Sequence, residues 1–75
     1  MQYDRITVDP AIVNGQPCIR GTRLTVRRVL EALSVYPDWD ELIAEYPDLE
    51  KEDIRQALGW AAQNLDDAVI ARTPA

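Results

Sequence analysis

Asp38-Trp39-Asp40-Glu41-Leu42-Ile43-Ala44-Glu45-Tyr46-Pro47-Asp48-Leu49-Glu50-Lys51-Glu52-Asp53-Ile54 is the stretch whose reading decides the fold. Asp38 followed three residues later by Glu41 has the pattern of a capping box, with Asp in place of Ser or Thr. Trp39, Leu42, Ile43 and Tyr46 then recur at helical spacing and make one apolar face. Pro47 pushes Tyr46 out of the α region, so the spacing predicts a short helix over about 39–45. A three-residue turn follows. If Glu50 is the next N-cap, Leu49 and Ile54 stand at the spacing of a hydrophobic staple, which predicts a helix over about 51–64. Ile54, Ala57, Leu58, Ala61 and Leu65 supply its apolar stripe. Gly59 inside that helix costs roughly 1 kcal/mol relative to Ala, unless close packing uses the missing side chain. Helix, short turn and helix have the proportions of a helix-turn-helix.

Working towards the N-terminus, Val26, Val29, Leu30 and Leu33 form a stripe behind Thr25, a suitable N-cap, and Pro37 closes that helix, predicted over about 26–35. Before Thr25 the pattern changes. Arg5-Ile6-Thr7-Val8 alternates as a half-buried strand does, and Asp9-Pro10 breaks it. Asn14-Gly15 is a turn signal, Cys18-Ile19 is a second apolar piece, and Gly21-Thr22 is another turn. A short β element over about 3–24, a hairpin, is expected to lie on the helices or to pair with a second copy. The fold class is therefore mainly α, in a single domain over 1–75: an N-terminal β hairpin, then three helices ending in a helix-turn-helix. The tail over 66–75 has an apolar centre between polar ends, which either extends the third helix or docks on a partner.

Composition narrows the chemistry. The chain has 75 residues, 47% hydrophobic and 28% charged, which suits one globular domain. A domain this small buries about 60% of the surface that its unfolded chain exposes, so a partner would add welcome burial. There is no histidine and one cysteine, Cys18. The commonest general base is thus missing, an internal disulfide is impossible and structural zinc is close to excluded. No cofactor is expected, and the expectation is a non-catalytic domain. No run approaches the ~20 apolar residues of a membrane span, and no signal peptide is visible, so a cytoplasmic protein with no membrane partner is expected. Cys18, Trp39 and Trp60 read as core residues, Trp39 being equally suited to an interface.

The net charge is −5, unevenly spread. Residues 1–28 carry Arg5, Arg20, Arg23, Arg27 and Arg28 against Asp4 and Asp9, whereas residues 29–75 carry Lys51, Arg55 and Arg72 against eleven acids. A basic end on an acidic protein is either a solvated asymmetry or a place to meet an anionic partner.

Two blocks are more specific than periodicity explains: Asp9-Pro10-x-Ile12-x-x-Gly15-x-Pro17-x-Ile19-x-Gly21-Thr22-Arg23-Leu24-x-Val26, and Tyr46-Pro47-x-Leu49-x-x-x-Asp53-Ile54-x-x-Ala57-Leu58-x-Trp60-Ala61. Together, over about residues 5–65, they resemble a bacterial family first catalogued as domain of unknown function 433 and now described as VapB-like antitoxins. The resemblance implies a homeodomain-like helical fold. It also implies the antitoxin half of a type II toxin–antitoxin pair: a homodimer that masks a PIN-like ribonuclease toxin and binds its own operator DNA. Two positions depart from the family pattern, Tyr36 where a glycine is common and Glu50 where Thr or Ser is frequent.

On that reading Arg20, Arg23, Arg27 and Arg28 are candidate phosphate contacts along one edge, with Lys51, Arg55 and Gln56 as further candidates on the third helix. The acidic first turn of that helix, Glu50 to Asp53, argues against its reading base edges. Gly21-Thr22-Arg23 has the simpler reading of a turn that leads into the first helix. Ile6 and Val8 are candidates for a dimer interface along an exposed strand edge, and Ala68, Val69 and Ile70 for a toxin contact. The alternative is a dimeric protein-interaction module that does not bind DNA. An enzyme subunit or small-molecule binder lacks any motif in its favour.

Overall fold

The two short strands and three helices expected from the sequence are all present in the computed structural model, which describes residues 3–65. Strand β1 (Ile6–Thr7) pairs antiparallel with β2 (Cys18–Ile19), Ile6 opposite Ile19 and Thr7 opposite Cys18. Cys18 also bridges to Thr25, and the N–H of Val26 donates to the carbonyl of Pro17 at 2.9 Å. The ribbon is thereby tied to the start of α1 (Val26–Val35) and does not have to stand alone. Between the strands the chain turns through Val13, Asn14 and Gly15, all at positive φ. Asn and Gly adopt that region readily, whereas the β-branched Val13 at φ 46° does not; the N–H groups of Gly15 and Gln16 donate to the carbonyls of Ile12 and Val13 across this turn, at 3.0 Å and 3.1 Å.

Each helix starts where its cap predicts. The Thr25 hydroxyl accepts from the N–H of Arg28 at 3.0 Å at the head of α1. The Asp38 carboxylate accepts from the N–H of Asp40 at 2.8 Å at the head of α2 (Trp39–Glu45). Asp38→Ala should therefore lower stability by about 1 kcal/mol. An unchanged thermal midpoint in that variant would reject the cap. Helix α3 (Lys51–Asn64) begins after Glu50, whose own N–H donates to Asp53 at 2.9 Å, the backward-reaching half of a capping box. Tyr46 closes α2 and Glu50 opens α3, leaving Pro47, Asp48 and Leu49 as the three residues of the turn. Tyr36, in place of the family's usual glycine, ends α1 at φ −121°, so this turn needs no left-handed residue.

The core lies where the three helices meet beneath the ribbon. Ile19, Val26, Val29, Ala32, Leu42, Leu49, Ile54, Ala57 and Ala61 are buried together, and Trp39 and Trp60 pack against them half-buried. Cys18 is buried as an apolar filler, its thiol donating to the carbonyl of Gln16. One expectation is corrected. The apolar stripe of α3 includes neither Leu58 nor Leu65, both exposed, and the buried face contains Asp53 and Gln56 instead. The reason is the N-terminal segment, which lies across that side of α3 and supplies polar partners for both residues. Tyr3 lies over Gly59, where a Cβ would stand 2.8 Å from its ring, so a side chain at that position would have to displace the Tyr3 ring. The tail over 66–75 lies outside the described residues.

Candidate functional site

The basic end is built on the turn between β2 and α1 and on the first turn of α1. In the Gly21-Thr22-Arg23 signature, Gly21 takes φ 79°. The Thr22 hydroxyl donates to the carbonyl of Ile19 at 2.8 Å and accepts from the N–H of Leu24 at 3.0 Å. Threonine thus shapes the turn from within, and Arg23 is left exposed at its tip with no hydrogen bond or ion pair among the described residues.

The candidate cations do not share one hollow. Arg23 borders a hollow of about 300 Å³ against the helix-turn-helix turn, facing Glu45, Tyr46 and Asp48. Arg20 donates to the carbonyl of Asp4 at 3.3 Å and borders a neighbouring hollow with Asp48 and Glu50. Arg27 and Arg28 straddle α1 and share Glu31, at 3.8 Å and 3.7 Å. These contacts are exposed and contribute little, so both guanidinium groups remain open to an anion. Lys51 reaches Asp40 at 3.2 Å, linking the heads of α2 and α3, and Arg55 clamps Glu52 on its own helix. The acids Glu45, Asp48 and Glu50 sit among the cations and weaken any field directed at phosphate.

Gln56 is not a free contact. It is buried, and its side chain is fully engaged. Its Oε1 accepts from the N–H of Arg5 at 2.8 Å, while its Nε2 donates to Asp4 at 2.8 Å and to Glu52 at 3.0 Å. The Arg5 guanidinium donates to Glu50 at 2.7 Å and to Asp53 at 3.1 Å. Arg5 is thereby removed from the pool of cations that a partner can reach, and its guanidinium holds its proton more tightly because of those two carboxylates. The Gln56 amide lowers the pKa of Asp4, and the Arg55 guanidinium, with Gln56 second, brings that of Glu52 down to about 2. No feature of the chain near Arg5 announces this network, since its partners lie 45 to 52 residues away.

Of the two candidates on the ribbon, Ile6 packs against the core and Val8 is exposed just beyond the end of β1. Substituting Ile6 would therefore damage the fold as well as any interface. Ala68, Val69 and Ile70 fall outside the described residues. Among the described residues, no three His, Cys, Asp or Glu side chains gather as a metal site, and no helix is long and apolar enough to cross a membrane.

Residues 6–61 match the family model described as "Protein of unknown function (DUF433)", well over half of the chain. The chain belongs to the DUF433 family. Among solved structures, this DUF433 protein is similar to a DUF433 member from Anabaena variabilis ATCC 29413, with 34% identity and a TM-score of 0.70. The similarity covers 92% of this chain and 66% of that one, so the DUF433 chain spans a little under two thirds of its relative's length. No curated protein matches it.

Proposed function

We propose that this DUF433 protein is the antitoxin of a type II toxin–antitoxin pair, a cytoplasmic, non-catalytic homodimer that neutralises a PIN-like ribonuclease toxin by direct binding and represses its own operon through DNA binding. The observation that carries the reading is the helix-turn-helix formed by α2, the Pro47–Leu49 turn and α3, set beside an exposed Arg23 and the open arginines of α1. Operator contact on this reading comes first from Arg20, Arg23, Arg27 and Arg28, because Lys51, at 3.2 Å from Asp40, and Arg55, doubly hydrogen-bonded to Glu52, are held closer by their carboxylates than Arg27 and Arg28 are by Glu31. Arg27→Ala with Arg28→Ala should weaken operator binding and reduce the salt slope by about 2, roughly one per lost phosphate contact. An unchanged affinity and slope would remove α1 from the DNA interface.

One observation favours the second reading, a dimeric module that binds a protein and no DNA. The first turn of α3 carries Glu52 and Asp53, and acids also border the hollows at Arg20 and Arg23. The experiment that separates the readings is co-expression of the tagged chain with the reading frame beside it in its own genome, followed by pull-down and by a binding assay on the shared promoter. A stoichiometric complex with a neighbour that is toxic alone, together with promoter binding, is the expected result. A complex without promoter binding supports the second reading, and a harmless neighbour that does not bind overturns the antitoxin role.

A further inference from the structure

Asn14-Gly15 lies in the turn Val13–Gly15 that joins β1 to β2, and the pair has a chemistry of its own. In an Asn-Gly sequence the main-chain nitrogen of glycine can attack the side-chain carbonyl carbon of asparagine, because no Cβ on the glycine blocks the approach. Asn14 is exposed, and its side chain makes no hydrogen bond among the described residues. The folded turn withholds the nucleophile in two ways. The Gly15 N–H donates to the carbonyl of Ile12 at 3.0 Å, which opposes loss of its proton. At ψ 31° for Asn14, the Gly15 nitrogen also stands nearly anti to Cβ across the Cα–C bond, whereas ring closure needs the two nearly eclipsed.

What keeps the turn shut is local. The N–H groups of Ile12, Gly15 and Gln16 donate to the carbonyls of Asp9, Ile12 and Val13, each only three residues back. The flanking strands have two residues each, and Val13 sits at φ 46°, which a β-branched side chain disfavours. An exposed segment held by short-range bonds opens at lower cost than the buried core. We propose that Asn14 is a covalent modification site gated by local opening of this turn. On opening, the Gly15 nitrogen gives its proton to solvent base and bonds to Cγ of Asn14. The bond from Cγ to the side-chain nitrogen breaks, and that nitrogen leaves as ammonia. Water then opens the succinimide at either carbonyl, giving aspartate or isoaspartate, with no oxidant or reductant involved. Isoaspartate lengthens the main chain by a carbon, so the turn of consecutive positive-φ residues cannot re-form, and the chain keeps a one-way record that its hairpin has opened. Nothing in this chemistry depends on a toxin or on DNA.

The test incubates the full chain at mildly alkaline pH, folded and in urea, and reads position 14 by peptide mapping and isoaspartate content. Asn14 should convert in both, but about tenfold or more slowly in the folded chain, by the same factor that protects the Gly15 N–H from hydrogen exchange, since one opening exposes one nitrogen to both reactions. Ile54→Val, which weakens the buried core and leaves the turn alone, should not change the folded rate. Equal rates in the folded and unfolded chain overturn the proposal, because the turn then gates nothing. A folded chain that stays unmodified beyond the time set by Gly15 exchange overturns it as well. So does a folded rate that rises with Ile54→Val, which would place the opening in the whole domain.

Discussion

Ile54→Ala should remove a large share of this protein's stability, about 2–5 kcal/mol. Ile54 is completely buried, one position into the core face of α3, and shares that core with Leu49 from the preceding turn. A buried Ile→Ala change removes the transfer free energy of the lost carbons and leaves a cavity, together about 2–5 kcal/mol. A chain of 75 residues has a total stability of only roughly 4–11 kcal/mol at the usual per-residue range. The loss therefore consumes a large share of the whole. It should fall on the helix-turn-helix in particular, because the Leu49 and Ile54 pair fixes how the chain enters α3. Urea denaturation followed by circular dichroism measures it directly. Ile54→Val is the control and should cost about 0.5–1.5 kcal/mol. Equal, small losses in both variants would mean that this position is not the packed centre of the domain.

Gln56→Leu is the second large effect. The substitution keeps the volume while removing an acceptor from the N–H of Arg5 and a donor from Asp4 and Glu52. Leaving a partly buried donor unpaired costs about 1–3 kcal/mol. The damage should be local, releasing Tyr3 to Ile6 from α3, and amide hydrogen exchange at Arg5 and Ile6 should report it before the helices do. Gln56→Glu makes the sharper test. It can still accept from Arg5, but it sets a third carboxylate beside Asp4 and Glu52, so it should be most destabilising at neutral pH and recover as the pH falls. The parent chain should behave in the opposite way. Asp4 and Glu52 both have depressed pKa values in the folded state, Glu52 at about 2 against an ordinary 4.5. A carboxylate held low contributes stability that is fully present above the unfolded pKa and is lost as pH falls towards the folded one. Parent stability should thus decline between about pH 4.5 and pH 2. In Gln56→Leu that decline should be shallower, because the largest cause of the Asp4 shift is gone. Identical acid slopes in the two proteins would show that Gln56 does not hold those carboxylates.

The same network bears on function. Reading the five N-terminal arginines as one basic end treats them as equivalent, yet Arg5 is spent on Glu50 and Asp53 while Arg23 is paired with nothing described. A protein or nucleic-acid partner therefore meets Arg20, Arg23, Arg27 and Arg28 in separate surroundings. Each should be substituted singly before a shared footprint is drawn.

The amino-acid sequence by itself determined the number of helices, where each begins and ends, and the hairpin's place at the N-terminus. Those features rest on short-range physics. Pro37 and Pro47 act on the residue before them, Thr25 and Asp38 bond amides two or three residues ahead, and Asn14-Gly15 turns through its own dihedral preferences. The tertiary structure alone decided which side of α3 is buried. Periodicity placed Leu58 and Leu65 inward, and it could not anticipate that Tyr3 to Ile6 would cover the face bearing Asp53, Gln56 and Gly59. A buried glutamine looks polar, and therefore outward-facing, until its partners are known. Here those partners, the N–H of Arg5 and the carboxylate of Asp4, are more than fifty residues away along the chain. Contacts at that separation leave no mark in local spacing, because they form only once the core has brought the two ends of the domain together.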